Sequence, residues 1–345
     1  MNYVFTQSAS LQAVLQDKIL PLTWNDPLFE LMPLDYIDAS MVIWEQKDNW
    51  TGATNPRQYN GGFGRVQREG INQWKVQPGA YGDQKEMLED YLTEGREIGT
   101  FGAGLDIRKA QLEDQDHLLG RAIDRIRIIG WNLLSTGTYS VPGPSGTVLA
   151  TDTFALQPFT AANPWSDHVN STPLADMRAM ALLKRGHSVR FDATSDFFLN
   201  QTWVNHMLSN TNNADIGGRR KIDANNNIEP LSVKQVNEIF LGEDLPKVRP
   251  YDEGYYPDPI AGVAQPFQLF IPNNQGVLVG KRQTGEPVMK FWMTRNANNL
   301  SVGRGSTQLY TDFEFKKNPV RAISTVAFNG APAIYFPSAV VMASI

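Results

Sequence analysis

One long amphipathic pattern restricts this chain more than any other feature: KAQLEDQDHLLGRAIDRIRIIGWNLLSTG, beginning at Lys109. Leu112, Leu119, Ile123, Ile126, Ile129 (or Gly130) and Leu133 recur at three- and four-residue spacing, which lines apolar side chains along one face of an α-helix. Asp116, Arg121, Asp124, Arg125 and Arg127 fill the other faces. Gly137 is placed to stop the helix, since glycine accepts the left-handed conformation found just past a helix end. From Lys109 to Ser135 such a helix is about 40 Å long at about 1.5 Å per residue. A single amphipathic helix of that length is a spine for other elements, not a bundle member.

Around the spine the sequence predicts strands and shorter helices, an α+β chain with strands supplied from both ends. SMVIWEQ (40–46) and NQWKVQPGAYG (72–82) read as the two strands of a long hairpin. GTYSVPGPSGTVLATDTF forms a second hairpin turning at Pro142–Gly146. Helices are predicted in STPLADMRAMALLKR (171–185), with Pro173 in its first turn and Leu174, Met177, Met180 (or Ala181) and Leu183 on one face, and in TSDFFLNQTWVNHMLSN (194–210) and SVKQVNEIFLG (232–242). The C-terminal stretch from Leu309 alternates and is β-rich.

A search for chemistry excludes more than it finds. The chain has no cysteine, so disulfides, thiolate metal sites and cysteine nucleophiles are ruled out. GGFGRVQREG (61–70) and GTFGAGLDI (99–107) lack the Gly-Lys-Ser/Thr ending of a phosphate loop, and their glycines read as turn residues. DANNNIEP (223–230) starts like a calcium loop, yet Ile228 stands where glycine is needed and Lys234 where a glutamate belongs. His117, His168, His187 and His206 form no metal-binding spacing, and Trp165-Ser166-Asp167-His168 carries little weight because triad members converge in space, not in sequence. Asp192 and Asp196 form an acidic pair expected near a helix start. No enzyme, cofactor or metal site is expected. With 31 basic and 36 acidic residues the formal charge of −5 disfavours a dedicated nucleic-acid binder. No apolar run approaches the length of a membrane span, and the N-terminus has no signal-peptide pattern, so a cytoplasmic product without membrane contact is expected.

The hairpin connection NWTGATNPRQYNGGFGRVQREGINQWKV (49–76) and the arm at 1–38, broken by Pro21, Pro27 and Pro33, cannot build cores of their own. Both carry large side chains at intervals, Trp24, Phe29, Leu31, Trp44, Trp50 and Trp74. Neighbouring copies of the same chain are therefore expected to hold them, with Arg57, Arg65, Arg68 and Lys75 pairing to acidic patches there. The inter-subunit contacts expected are Trp24, Phe29, Trp50, Arg57, Arg65, Arg68, Trp74 and Lys75.

The order of these parts resembles the major capsid protein of tailed bacteriophages, nearest to the "major capsid protein E" group typified by phage lambda. DPLFELMPLDYIDASMVIWEQ looks like that family's arm entering its extended loop, and LLGRAIDRIRIIGWNLLSTGTYSV like its spine helix and following hairpin. VRPYDEGYYPD, FIPNNQGVLVG and GEP look like central-domain elements, and FEFKKNPVRAISTVAFNGAPAIYFPSAVVMASI like the C-terminal strands. The resemblance implies a Hong Kong 97-like fold with an N-terminal arm (1–40), an extended β-hairpin loop (41–85), a peripheral domain (86–160 and 301–345) and an axial domain (161–300). It also implies hexamers and pentamers tiling an icosahedral shell around a DNA genome. The implied partners are a separate scaffolding protein, a decoration protein, a portal at one vertex and packaged DNA contacted non-specifically. Assembly would take place in the host cytoplasm and the product would be a virion component. A carbohydrate-binding or polysaccharide-active phage protein, with Trp24, Trp50, Trp74 or Trp165 as stacking platforms, is the alternative, and another virion component such as a portal or tail protein is a third.

Overall fold

The computed structural model describes residue 23 and residues 25–46, 72–94, 106–143, 147–183, 189–219, 231–259, 262–282, 287–301 and 309–345. The spine helix runs Ile107–Thr136. Leu118, Leu119, Ile123, Ile126, Ile129 and Leu133 are buried along it, as the spacing predicts, with Leu112 half-buried. In the last turns Trp131, Leu133, Leu134 and Ser135 are all buried, so the helix ends inside the protein. Gly137 then adopts φ +71°. Its N–H donates to the Leu133 carbonyl at 2.8 Å, and its carbonyl accepts from Phe154 N–H at 2.8 Å. A Cβ there would lie 3.0 Å from the Phe154 carbonyl oxygen. Gly137→Ala is expected to lower stability by about 1–2 kcal/mol, the cost of a left-handed alanine, as read from the shift of a denaturation midpoint.

The spine helix packs on a five-stranded sheet built around one long strand, Val320–Ile334. Gly79–Leu88 pairs antiparallel with 321–330 and Tyr310–Lys317 with 320–327, so these two occupy opposite edges. Met289–Met293 pairs with 330–334, and Leu34–Tyr36 of the arm adds in parallel beyond it. Gly330 pairs with both Gly79 and Met293. At that junction the buried Tyr139 hydroxyl accepts from Gly79 N–H at 3.1 Å and donates to the Gly330 carbonyl at 3.2 Å. Burial first, and neighbouring Tyr81 second, push this phenol far above its ordinary pKa, so it stays a neutral donor.

A second sheet has the order Lys247–Pro250, Asp196–Leu199, Gln275–Val279, Val340–Ser344 and Gln157–Thr160. Its central strands are buried on both faces, and the side chains alternate between two cores as a period of two requires. Phe198, Val277, Val279 and Val340 face the spine-helix core. Phe197, Leu199, Leu278 and Val341 face helices Pro173–Leu182, Gln201–Leu208 and Val233–Gly242. Ser232 starts the last of these with a capping box to Gln235, which satisfies two free backbone donors at once. Trp131 joins the layers, its ring 5.2 Å from Phe198 and 4.7 Å from Tyr251.

One segment corrects the sequence reading. Within 194–210, residues Asp196–Leu199 are a strand and only Gln201–Leu208 is helical, with Asn200 capping it through Trp203 N–H at 3.1 Å. A short apolar run buried on both faces carries no alternation, so periodicity alone does not separate it from a helix. Two strands also cross the expected partition into peripheral and axial parts. Met289–Met293 belongs to the first sheet, and Val340–Ser344 lies inside the second. No described helix is long and apolar enough to cross a membrane.

Candidate functional site

The expected assembly elements can be followed outward from the core. Val42–Gln46 and Asn72–Val76 pair antiparallel from Val42↔Val76 to Gln46↔Asn72, forming the base of the long hairpin. Trp44 and Trp74 are direct cross-strand partners, with rings stacked at 6.5 Å. Phe154 stacks on both, at 6.3 and 5.8 Å, and Tyr335 meets Trp44 edge-on at 5.8 Å. Val42 and Val76 are buried on the same face. Such aromatic pairs each add roughly 0.5–1.5 kcal/mol beyond area burial. The hairpin base is thus held by its own subunit, a correction to the expectation that only a neighbour holds it. The opposite face shows Ile43, Glu45, Gln73 and Lys75 to solvent.

The arm is also fixed within the chain where it is described. Asp26 caps the short helix Pro27–Leu31, accepting Leu28 N–H at 2.9 Å, and its other oxygen accepts Arg127 Nε at 2.6 Å. Arg127 also donates to Asp124 at 2.8 Å. Leu28 and Met32 lie on the spine helix at Gly130, where a Cβ would come within 2.7 Å of the Met32 methyl. Farther along, Glu30 pairs with Arg249 (3.2 Å), Asp35 with Lys290 (2.7 Å) and Asp38 with Arg295 (2.8 Å). Each carboxylate from 26 to 38 therefore meets a cation from another element. The hydrogen bond from Lys290 holds the Asp35 carboxyl below its ordinary pKa, against the opposing effect of partial burial.

Of the eight expected contact residues, Phe29 is 9% exposed and packed into the chain's own core. That leaves it almost no surface for a neighbour. Trp74 is half-buried in the aromatic stack and Lys75 is exposed. Trp24, Trp50, Arg57, Arg65 and Arg68 lie outside the described residues, as do the glycine-rich 61–70 and most of the polar 223–230.

Beside the spine helix, the segment 254–258 and strand 79–88 enclose a groove of about 420 Å³. Arg121 closes one side, donating from both terminal nitrogens to Asp258 at 2.8 and 3.0 Å and from Nε to Asp83 at 2.8 Å. The hydrogen bonds to Asp258 and then Asp83 hold its pKa well above the ordinary arginine value.

No catalytic constellation forms among the described residues. No three His, Asp or Glu side chains gather there as metal ligands. Trp165 is fully buried and donates to Asp176 at 2.8 Å, so it is no stacking platform. Asp196 does not sit near a helix start: it opens a central strand, nearly fully buried, with Lys247 Nζ at 3.2 Å and Arg249 NH1 at 3.4 Å. Sequence spacing missed one pairing, His168 Nε2 to His206 Nδ1 at 3.0 Å. Burial and then the His168 charge depress the His206 pKa, so this is a neutral imidazole pair joining a turn to a helix.

No protein-family model and no curated protein matches the sequence. Solved structures do. A chain assigned as a prophage capsid protein of Escherichia coli CFT073 superposes with a TM-score of 0.59 at 12% identity, over 99% of both chains. A phage-related protein from Bordetella bronchiseptica RB50 superposes with a TM-score of 0.52 at 10% identity, over 97% of this chain and 96% of that one. Neither likeness singles out the lambda-type group that the motifs resemble. Across nearly its whole length the chain has the mixed α+β, Hong Kong 97-like fold of phage capsid proteins.

Proposed function

We propose that this chain is the major capsid protein of a tailed phage, assembling as hexamers and pentamers into an icosahedral shell around DNA. The observation that carries the reading is a likeness to a prophage capsid protein that extends over 99% of both chains, so no extra domain remains for another activity. The hairpin supports it. Its base is locked by the Trp44–Trp74–Phe154 stack while its outer face, Ile43 and Lys75, is exposed. A rigid root with an exposed face suits an element that reaches a neighbouring copy. Trp24, Trp50, Arg57, Arg65 and Arg68 are assigned to that contact. A separate scaffolding protein directs assembly, a portal occupies one vertex, a decoration protein reinforces the shell, and packaged DNA touches the interior without sequence preference.

Electron microscopy with light scattering tests the reading, on the protein alone and co-expressed with the other head proteins of its genome. Closed shells, tubes or rings support it. A monomer under both conditions sinks it. A shortened variant sharpens the point: residues 47–71 are replaced by Asn-Gly, the favoured two-residue hairpin turn, because Gln46 and Asn72 are already paired. We expect an unchanged unfolding midpoint with complete loss of shells. Shells of normal size from that variant would remove the hairpin from assembly.

A further inference from the structure

The spine helix carries one guanidinium that the fold leaves uncommitted. The groove described above holds three carboxylates, Asp83, Asp124 and Asp258, and each already has an arginine: Arg121 takes Asp83 and Asp258, and Arg127 takes Asp124. Arg125 stands among them, exposed, and makes no ion pair with any described residue. It also lines a second cavity of about 210 Å³ on the other side, between the spine helix and the hairpin Thr138–Thr153. That cavity has no aspartate or glutamate in its wall. Beside Arg125 it offers Asn132, Thr138, Ser140, Thr147 and the Tyr81 phenol.

This is an arrangement of donors around a single positive charge. The guanidinium presents a planar fork of N–H groups, Asn132 adds an amide, and the hydroxyls rotate to donate or accept. An isolated carboxylate is satisfied by the fork alone, whereas a tetrahedral oxyanion uses donors arriving from several directions. A chain with a formal charge of −5 has no general attraction for anions, so binding here would come from local geometry. The carboxyl that the hairpin itself carries is Asp152, the cross-strand partner of Tyr139; it is held by the Gln77 backbone N–H and is absent from the cavity wall.

We propose that the cavity between the spine helix and the 138–153 hairpin is a phosphate-binding site, with Arg125 supplying the charge and Asn132, Thr138, Ser140 and Thr147 the surrounding donors. The phosphate is either a free anion or a phosphodiester of a nucleic-acid backbone, and the second source rests on the capsid reading above.

Thermal unfolding of the full chain, in a non-phosphate buffer at fixed ionic strength, tests the site. Sodium phosphate is titrated against sodium chloride. Ligand that binds only the folded state raises the midpoint in proportion to the logarithm of its concentration once the site fills. We expect phosphate to raise the midpoint above the chloride control. Arg125→Gln should weaken apparent phosphate affinity about tenfold or more, the loss of a charge-assisted bidentate contact. Because Arg125 is exposed and outside the fold's ion pairs, that variant should match the parent in chloride. Asn132→Ala, also on an exposed position, gives a second reading with a smaller loss. A short DNA duplex is the other arm. Stabilisation by the duplex that disappears in Arg125→Gln identifies the backbone as the source, while phosphate-only stabilisation identifies a free anion. Equal midpoints in phosphate and chloride overturn the proposal, and so does phosphate stabilisation that Arg125→Gln leaves intact. None of these readings depends on shell formation, so failure of the capsid reading leaves the phosphate arm interpretable.

Discussion

Ile126→Asp is expected to detach the spine helix from its sheet and leave the chain unfolded. Ile126 is 1% exposed and lies in the middle of the buried face, between Ile123 and Ile129. An aspartate there loses the burial of a large aliphatic side chain, about 1.5–3 kcal/mol. It also places a carboxyl where no described partner waits, a further cost of several kcal/mol. The sum approaches the whole stability of an ordinary domain, about 5–15 kcal/mol. Circular dichroism and a denaturant titration should show a collapsed midpoint or no cooperative transition. An unchanged midpoint would mean that this face of the helix is not the buried one.

Asp26→Ala should be the second large effect, and it acts on the arm. Two functions meet in one carboxylate: it caps the helix Pro27–Leu31 and it is the closest partner of Arg127, whose side chain is 17% exposed. Loss of the cap costs about 1 kcal/mol. Leaving Arg127 with Asp124 alone strands part of a buried charge, so the total is about 2–4 kcal/mol, short of a fully orphaned pair. Hydrogen exchange should show the amides of 26–36 losing protection while those of the second sheet keep theirs. Uniform loss across both sheets would mean that the arm is part of the global core.

The sequence exposes some of this architecture and hides the rest for identifiable reasons. The spine helix is readable because 30 residues of one period overwhelm local noise, and Gly137 marks its end. The base of the hairpin is readable from two strand-like runs, but its means of support is not. Trp44 and Trp74 look like exposed anchors because Phe154 and Tyr335, which cover them, lie far along the chain. The same distance conceals the arm's ion pairs, whose partners Arg127, Arg249, Lys290 and Arg295 are scattered over three regions. The strand Asp196–Leu199 is lost for a different reason: burial on both faces erases the alternation that identifies a strand. Arg125 gives no signal at all, since a surplus charge is visible only after every neighbouring charge has been matched.

The long strand Val320–Ile334 has a consequence for synthesis. Its pairing with Gly79–Leu88 spans more than 230 residues, so the earlier strand emerges from the ribosome long before its partner exists. At about 5–20 residues per second the wait is on the order of 10–50 s, during which one whole ladder of backbone donors and acceptors stands open. An open ladder recruits any extended segment nearby, including the same strand on adjacent ribosomes of a polysome. Asp83, Gln84, Lys85 and Glu86 occupy the middle of that strand and stay exposed even after folding. Their charge makes the nascent edge a poor template for stacking, which lets a chain destined for dense self-association stay separate until it is finished.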